Sequence, residues 1–307
     1  MRAFLRTSEI AQGLGVLPTP AKMALTPAAK RQATKPAAWM LNNPVTTVKS
    51  ENVFIDSRGG PLQIRLYKPN GWVAGGPGLL YVHGGGFYMG GLDGCDDICR
   101  KLSDRAGVVI ASVEYRLCPE DKFPAALEDC EDALLWLLKE QPHGIDAARV
   151  GIAGDSAGGN LTASLAVHLR DSGGPQVLHQ ALIYPLVDAY YRSPSWRECA
   201  GGGVDVAAGA KMMAFYAGDR QDDPLVGALA VEDLAGLPPA LVVTADYDVL
   251  RDEGIRYAER LLEAGVATKH LHYMGKAHGF LSTPRLYRDA DQAFTDIASA
   301  IRAALHV

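Results

Sequence analysis

A serine flanked by glycines, in the run Gly154–Gly159 (GDSAGG), is the feature that most constrains this chain. An apolar run typical of a buried strand, 149–153, precedes it, and an apolar-periodic run typical of a helix, 161–169, follows it. A strand that enters a helix through G-x-S-x-G turns so sharply that only glycine leaves room for the neighbouring backbone. The turn lifts the serine hydroxyl above the sheet, at a helix N-terminus with free N–H donors. The pattern therefore predicts an exposed nucleophile, Ser156.

The same motif also fits a glycine-rich helix entry in which Ser156 is only an N-cap. Three further features favour the nucleophile: the strand–turn–helix setting, a second glycine cluster upstream, and acid and histidine candidates downstream. We therefore interpret the motif as a nucleophile elbow.

Short β-rich runs alternate with helical patterns from about residue 50 onwards, which indicates an α/β fold with a mainly parallel sheet covered on both faces. The first two runs predict an antiparallel pair joined by the Gly59-Gly60 turn. Strands are predicted at 52–56, 62–67, 78–82, 108–114, 150–153, 180–184, 240–245 and 268–273. Helices are predicted at about 93–106, 125–139, 157–170, 249–264 and 286–304.

Two stretches fall outside this alternation. Residues 1–45 are rich in Ala, Thr and Pro, and residues 189–226 hold aromatic side chains and methionines. A linker or surface loop is one interpretation of the second stretch. Because long insertions in compact domains are often functional and these apolar side chains need covering, we favour a lid over a pocket.

The composition excludes several partners. The net charge of −5 over 307 residues gives no basic patch for nucleic acid, and no apolar run approaches the length of a membrane span. Polar residues interrupt the N-terminal apolar stretch, so no secretion signal is expected. The five cysteines are scattered and odd in number, which favours reduced thiols in a cytoplasmic protein. Cys95 and Cys99 have no His or Cys partners nearby, so no metal site is expected.

A histidine downstream of Ser156 is needed as a base if the chain follows the order serine, acid, histidine. His278 lies in the loop between the last predicted strand and the final predicted helix. That loop falls at the carboxyl edge of the sheet, where open α/β sheets build their sites. His270 and His272 lie within the strand pattern and His306 is terminal, so structural or solvated roles are expected for them.

Four acidic residues after the apolar strand compete to orient this base. Asp252 and Glu253 lie in the first turns of the following helix, where the helix dipole stabilises acids in any case. Asp246 and Asp248 lie at the strand end, where an orienting acid belongs. Spacing alone does not choose between these two.

A glycine run at the end of another predicted strand supplies candidate oxyanion donors: His83-Gly84-Gly85-Gly86-Phe87. Consecutive glycines let backbone N–H groups approach a ligand without interference from Cβ. A glycine run in this loop is the oxyanion device of lipases and esterases. The N–H of Ala157, directly after the nucleophile, is expected to be another donor. The run lacks the G-K-[ST] ending of a phosphate-binding loop, so that alternative is set aside.

Together these motifs resemble the hormone-sensitive lipase family of α/β-hydrolases, the bacterial type IV esterases. The resemblance covers nearly the whole chain from about residue 50, and an ordered set of this kind is highly specific. In order, the motifs are His83-Gly-Gly-Gly-Phe87, Tyr115-Arg-Leu-Cys-Pro-Glu120, Gly154-Asp-Ser-Ala-Gly-Gly159, Leu237-Pro-Pro-Ala-Leu-Val-Val-Thr244, Asp248-Val-Leu-Arg-Asp-Glu-Gly254 and His278-Gly-Phe280.

The resemblance implies an α/β-hydrolase fold, with a mostly parallel, twisted, eight-stranded sheet flanked by helices and a helical cap. It places the orienting acid on Asp248 and the oxyanion donors on Gly85, Gly86 and Ala157. His83 is expected to brace the oxyanion loop rather than to act in the chemistry. The implied organisation is a catalytic domain, residues 46–188 and 227–307, and a cap region, residues 1–45 and 189–226.

The activity that the resemblance implies is hydrolysis of short- to medium-chain acyl esters by a serine carboxylesterase. Ser156, His278 and Asp248 would form the triad and work through an acyl-enzyme intermediate. The expected partners are a small-molecule ester and water, without a cofactor. Two alternatives stay open on the same fold, an amidase such as an arylformamidase and a non-catalytic small-ligand receptor.

Aromatic and methionine side chains are candidates for lining the substrate pocket, with core packing an equal expectation for each. They are Tyr88, Tyr184, Met212, Phe215 and Tyr216. The oligomeric state is not readable from the sequence. A strand near Thr268–Tyr273 is expected at the sheet edge, where it can pair with its copy in a homodimer, as is common in relatives.

Overall fold

An eight-stranded sheet organises the protein. The computed structural model describes residues 45–201, 205–287 and 289–307, so the predicted N-terminal part of the cap lies outside the described residues except for residue 45. The strand order across the sheet is β1-β2-β4-β3-β5-β6-β7-β8. The strands are β1 (Lys49–Ser57), β2 (Gly60–Lys68), β3 (Gly78–Val82), β4 (Val109–Val113), β5 (Val150–Asp155), β6 (Gln180–Ile183), β7 (Ala240–Tyr247) and β8 (Thr268–Ala277).

The sheet is antiparallel at one edge and parallel elsewhere. Strand β2 runs antiparallel to both β1 and β4, whereas all pairs from β4 to β8 are parallel. The prediction of a mostly parallel eight-stranded α/β sheet, opened by an antiparallel pair, is therefore confirmed. The described helices are α1 (Asp96–Ala106), α2 (Ala125–Glu140), α3 (Ala157–Ser172), α4 (Ser195–Glu198), α5 (Val206–Tyr216), α6 (Arg251–Glu263) and α7 (Ala290–Leu305).

Side chains on the two faces of the sheet enter two separate cores. In β3, Leu80 and Val82 join the core under α2, α3 and α6, whereas Leu79 and Tyr81 join the core under α1 and α7. All five residues of β3 are buried, which explains why its sequence is continuously apolar rather than alternating. Among the described residues, no helix combines the length and apolar character needed to cross a membrane.

Some element boundaries differ from the predicted ones for local reasons. Strand β7 continues to Tyr247, which pairs with Ala277 across an irregularity, so β8 is longer than its apolar pattern. Helix α6 begins at Arg251 because the Asp248 carboxylate accepts the N–H of Leu250 and holds the preceding residues in a turn. Helix α7 begins at Ala290, after a separate short turn that starts at Pro284.

The parallel strands bring the predicted site residues to one edge of the sheet. His83 follows β3, Ser156 follows β5, Asp248 follows β7 and His278 follows β8. Because these strands run in the same direction, their carboxyl ends meet at a single edge, where α/β sheets commonly bind ligands.

Candidate active site

The turn between β5 and α3 holds Ser156 in a strained backbone conformation, with φ 57° and ψ −117°. Its N–H donates to the carbonyl of Ile183 at 2.9 Å. A Cβ on Gly154 would lie 2.3 Å from the carbonyl oxygen of Gly158, and one on Gly158 would lie 2.0 Å from that of Val82. Both flanking glycines are therefore required by close backbone approach, as a nucleophile elbow needs.

Three side chains form a continuous hydrogen-bonded chain at this turn. Ser156 Oγ lies 2.9 Å from His278 Nε2, and His278 Nδ1 lies 2.8 Å from Asp248 Oδ2. The Asp248 carboxylate is buried, and its Oδ1 accepts the N–H of Leu250 at 2.9 Å. This arrangement can pass the hydroxyl proton to Nε2 while the carboxylate stabilises the charged ring.

The competing acids have other partners. Asp246 accepts the N–H of Gly275 at 3.1 Å, and Asp252 accepts the N–H of Ser195 at 2.8 Å. Glu253 is fully buried, and its carboxylate accepts the indole N–H of Trp196, on helix α4, at 2.7 Å. The structure therefore places Asp248, of these four acids, against the histidine.

Burial and charge act in opposite directions on His278. Burial lowers the pKa of the imidazole, but the charge of Asp248 and its hydrogen bond together raise the pKa of His278 above the ordinary value of 6.5. The ring is thus a stronger base than a free histidine, which suits a group that takes a proton from a hydroxyl.

The glycine loop after β3 needs glycine at two successive positions. Gly85 has φ +129°, and a Cβ there would lie 2.0 Å from the carbonyl oxygen of Met89. Gly86 has φ +60°, and its Cβ would lie 2.9 Å from the sulfur of Met212. Within the described part of the chain, no acceptor takes the backbone N–H of Gly85, Gly86 or Ala157. The three N–H groups therefore stay candidates for donors to a negatively charged oxygen at Ser156.

A buried carboxylate ties the glycine loop to the elbow. Asp155 Oδ1 accepts the N–H of Gly84 at 2.9 Å and the hydroxyl of Tyr81 at 2.8 Å. Burial raises the pKa of Asp155, and these two hydrogen bonds oppose the increase. Sequence reasoning missed this contact, although Asp155 lies inside the motif that identified Ser156.

His83 supports the same loop. Its ring stacks on Tyr115 with centroids 4.2 Å apart, and its Nδ1 lies 2.8 Å from the carbonyl oxygen of Gly84. Burial lowers the pKa of His83, which favours a neutral ring that donates from Nδ1. The Tyr115 hydroxyl donates to the carbonyl of His83 at 2.9 Å. These contacts hold His83 at the start of the loop, as expected for a residue that braces it.

The family model described as the alpha/beta hydrolase fold matches residues 79–282, more than half of the chain. This chain belongs to the α/β-hydrolase fold family. The esterase LipI of Mycobacterium tuberculosis is 40% identical, with 83% of this hydrolase and 82% of LipI covered. The ethyl acetate hydrolase of Pseudomonas putida is 33% identical, with 98% and 97% covered.

A solved structure agrees with these relatives. The hyperthermophilic esterase from the archaeon Pyrobaculum calidifontis superposes on this hydrolase with a TM-score of 0.88 at 34% identity, covering 98% of this chain and 99% of that one. The match covers nearly all of both chains, and this solved structure is named as an esterase, as LipI is. The resemblance to the bacterial type IV esterases is therefore confirmed.

A cavity of about 830 Å³ contains Ser156 and His278 in its lining. Ser156 and His278 lie on its floor together with the oxyanion loop, and the predicted pocket residues Tyr88, Tyr184 and Met212 are in its wall. Tyr184 also packs edge-on against the ring of His278, with centroids 5.1 Å apart. Apolar side chains of the wall include Leu92, Ile98, Leu186, Trp196, Ala208, Met212, Val249 and Leu250.

Two residues predicted to line the pocket lie outside its wall. Met212 is the last residue of α5 in the lining, and Phe215 and Tyr216 occupy the next helical turn, beyond the cavity. Tyr216 is buried and stacks on Phe87 with centroids 3.7 Å apart, and Phe215 packs partly buried against the same core. Of the two equal expectations for Phe215 and Tyr216, the structure shows core packing.

Trp196 also lines the cavity, and the sequence pattern did not predict this position. It lies on α4, a helix of four residues inside the 189–226 insertion, which is too short for any hydrophobic period to show. A lone tryptophan in an irregular segment was the only available signal. Its position in the cavity wall depends on contacts with distant residues.

Proposed function

We propose that this protein is a serine carboxylesterase that hydrolyses short- to medium-chain acyl esters. The observation that carries the proposal is the hydrogen-bonded chain from Ser156 through His278 to the buried Asp248. Relatives named as an esterase and as an ethyl acetate hydrolase support the class of reaction, carboxylic ester hydrolysis. The substrate range is an inference from the family resemblance and from the partly apolar cavity.

The reaction begins when Ser156 Oγ attacks the ester carbonyl and His278 Nε2 takes the hydroxyl proton. The carbonyl oxygen becomes an oxyanion that accepts hydrogen bonds from the N–H groups of Gly85, Gly86 and Ala157. When the tetrahedral intermediate collapses, the bond to the leaving alkoxide breaks and His278 gives its proton to that oxygen. An acyl-enzyme ester on Ser156 remains.

Water completes the cycle by the same route. His278 takes a proton from water as the water oxygen attacks the acyl-enzyme carbonyl, and the oxyanion donors act again. Collapse of the second intermediate releases the carboxylic acid, and the proton on His278 returns to Ser156 Oγ. Asp248 holds the ring orientation and stabilises the imidazolium in both halves.

Gly85→Ala is expected to lower kcat by about 100-fold or more, the usual effect of losing an oxyanion donor. The added Cβ would meet the carbonyl oxygen of Met89 at 2.0 Å, and the φ of +129° is strained for any side chain. The loop must therefore shift, which removes N–H donors from the oxyanion. Steady-state kinetics with a 4-nitrophenyl ester checks this. An alanine variant with the wild-type kcat would contradict the role of the loop.

Activity is expected to fall as the pH is lowered, because His278 must be neutral to act as a base. Asp248 raises the pKa of His278 above 6.5, so half of kcat/KM should be lost at a pH above that value. The rate against pH for one soluble ester measures this midpoint. A rate that does not change between pH 5 and pH 8 would argue against His278 as the base.

The insertion supports the proposed division of the chain. Residues 189–226 supply Trp196, Ala208, Gly209 and Met212 to the cavity wall, so we assign this segment to a cap over the catalytic domain of 46–188 and 227–307. The assignment of residues 1–45 to the same cap rests on the family resemblance. Pairing of β8 in a homodimer and a cytoplasmic location both stay predictions.

A substrate panel tests the choice of ester over amide. The proposal predicts that 4-nitrophenyl butyrate is hydrolysed faster than the matching 4-nitroanilide, an aryl formamide and insoluble trioleoyl glycerol. A preference for the formamide or the anilide would favour the amidase alternative. If the triglyceride were the best substrate, the assigned substrate range would be wrong.

A further inference from the structure

A buried hydrogen bond fastens the insertion to the helix that follows the catalytic acid. The indole Nε1 of Trp196 donates to Glu253 Oε2 at 2.7 Å, and both residues are almost completely inaccessible to solvent. Trp196 lies on α4 in the insertion, and Glu253 lies in the first turn of α6, five residues after Asp248. The cavity wall is thus attached to the helix that begins three residues after the acid of the triad.

The carboxyl group of Glu253 is also held by two backbone N–H groups. Its Oε1 accepts the N–H of Val187 at 2.8 Å and the N–H of Asp188 at 3.1 Å. Both residues follow β6, at the edge of the sheet that carries Ser156. Because both oxygens are engaged by three N–H donors, the carboxyl group offers the indole one defined position.

The ring of Trp196 is also packed against helix α5, which supplies Ala208, Gly209 and Met212 to the cavity wall. It meets Tyr191 edge to face with centroids 4.7 Å apart, and the Tyr191 hydroxyl donates to the carbonyl of Gly209 at 2.6 Å. A Cβ on Gly209 would lie 3.0 Å from the indole and 2.9 Å from the Tyr191 ring. The rings therefore fill the space beside α5 and leave the indole no room to swing away.

We propose that Trp196, held by Glu253, is a specificity-determining residue that limits the length of one hydrocarbon arm of the ester. The inference rests on the proposed ester hydrolysis. The indole belongs to the apolar wall of the cavity that contains Ser156, where each buried methylene of a substrate gains free energy by leaving water. A rigid ring in that wall limits how many methylenes of the substrate chain can be buried. The chain that it limits is either the acyl chain or the alkoxy chain of the ester.

Two substrate series decide which arm is limited. One varies the acyl chain of 4-nitrophenyl esters from acetate to decanoate, and the other varies the alcohol of acetate esters from ethyl to octyl. Trp196→Ala is expected to raise the ratio of kcat/KM for the longest over the shortest member about tenfold or more in one series. Trp196→Phe should raise it less, because a smaller ring remains. Trp136→Ala is the matched control, since Trp136 packs on the core outside the cavity.

Glu253→Gln separates a positioning role from general support of the fold. The amide keeps an acceptor for Val187 and Asp188 but presents an N–H₂ group to the indole N–H, so the ring must move. We expect the chain-length ratio to rise in the wild-type background and to change less than about twofold in the Trp196→Phe background, where the conflict is absent. Equal effects in both backgrounds, uniform across chain lengths, would mean that Glu253 only supports the fold.

The proposal is overturned if Trp196→Ala changes neither ratio by more than Trp136→Ala does. Before the ratios are compared, labelling with a fluorophosphonate shows that the nucleophile of each variant is intact. If Trp196→Ala is not labelled, the comparison is made with Trp196→Phe instead. A wild-type protein that hydrolyses no member of either series would instead refute the proposed function, which distinguishes the two failures.

Discussion

Ser156→Ala is expected to reduce kcat for 4-nitrophenyl butyrate by about 10⁶-fold, the scale seen when a catalytic nucleophile is removed. Alanine has no oxygen to attack the carbonyl or to form the acyl-enzyme. It also removes the 2.9 Å contact with His278 without adding bulk, so the fold should be retained. The measurement is the steady-state rate of the purified variant, with circular dichroism to establish folding.

A second serine on the same helix supplies the control for this substitution. Ser172 is the last residue of α3 and lies outside the cavity, so Ser172→Ala should keep kcat within about threefold of wild type. A Ser156→Ala rate close to that of Ser172→Ala would show that another group is the nucleophile.

Asp248→Asn is expected to lower kcat by about 10⁴-fold, because an amide in this position favours the wrong tautomer of the histidine. Asp248 Oδ2 lies 2.8 Å from His278 Nδ1, whereas the Asp246 side chain bonds to the N–H of Gly275. Asp246→Asn, two residues away, is the matched control and should cost less than about tenfold. Asp248→Asn should also move the acid limb of the pH profile to lower pH, because the charge that raises the pKa of His278 is gone.

The two aspartate variants give opposite results under the two assignments of the acid. If Asp246→Asn lost more activity than Asp248→Asn, the orienting acid would be Asp246, and the contact seen with His278 would be structural. Equal small losses in both variants would contradict any triad mechanism in this protein.

The turn that holds Ser156 could be predicted from the sequence because its conformational constraints come largely from neighbouring residues. The positive φ of Ser156 and the close approach of Gly154 to Gly158 both lie within six consecutive residues. The alternation of strands and helices likewise predicted the eight-stranded sheet, and the direction of the parallel strands predicted that the loops bearing Asp248 and His278 would meet.

The cavity wall was not accessible in the same way, because it depends on packing between distant segments. Phe215 and Tyr216 looked like pocket residues by type, yet they lie one helical turn beyond the cavity and pack against Phe87 and its neighbours. In the wall, Trp196 donates its indole N–H to Glu253, 57 residues later, and packs against the ring of Tyr191. No periodic pattern records a contact of this kind.

Covalent labelling can show whether Ser156 is a reactive nucleophile. The protein is incubated with a fluorophosphonate, digested, and analysed by mass spectrometry to locate the phosphonyl group. We expect one phosphonyl group per chain, on Ser156, together with complete loss of esterase activity, and no labelling of the Ser156→Ala variant. A protein that stays unlabelled would contradict this assignment and favour the non-catalytic receptor. Labelling at another residue, with loss of activity, would show that the nucleophile is a residue other than Ser156.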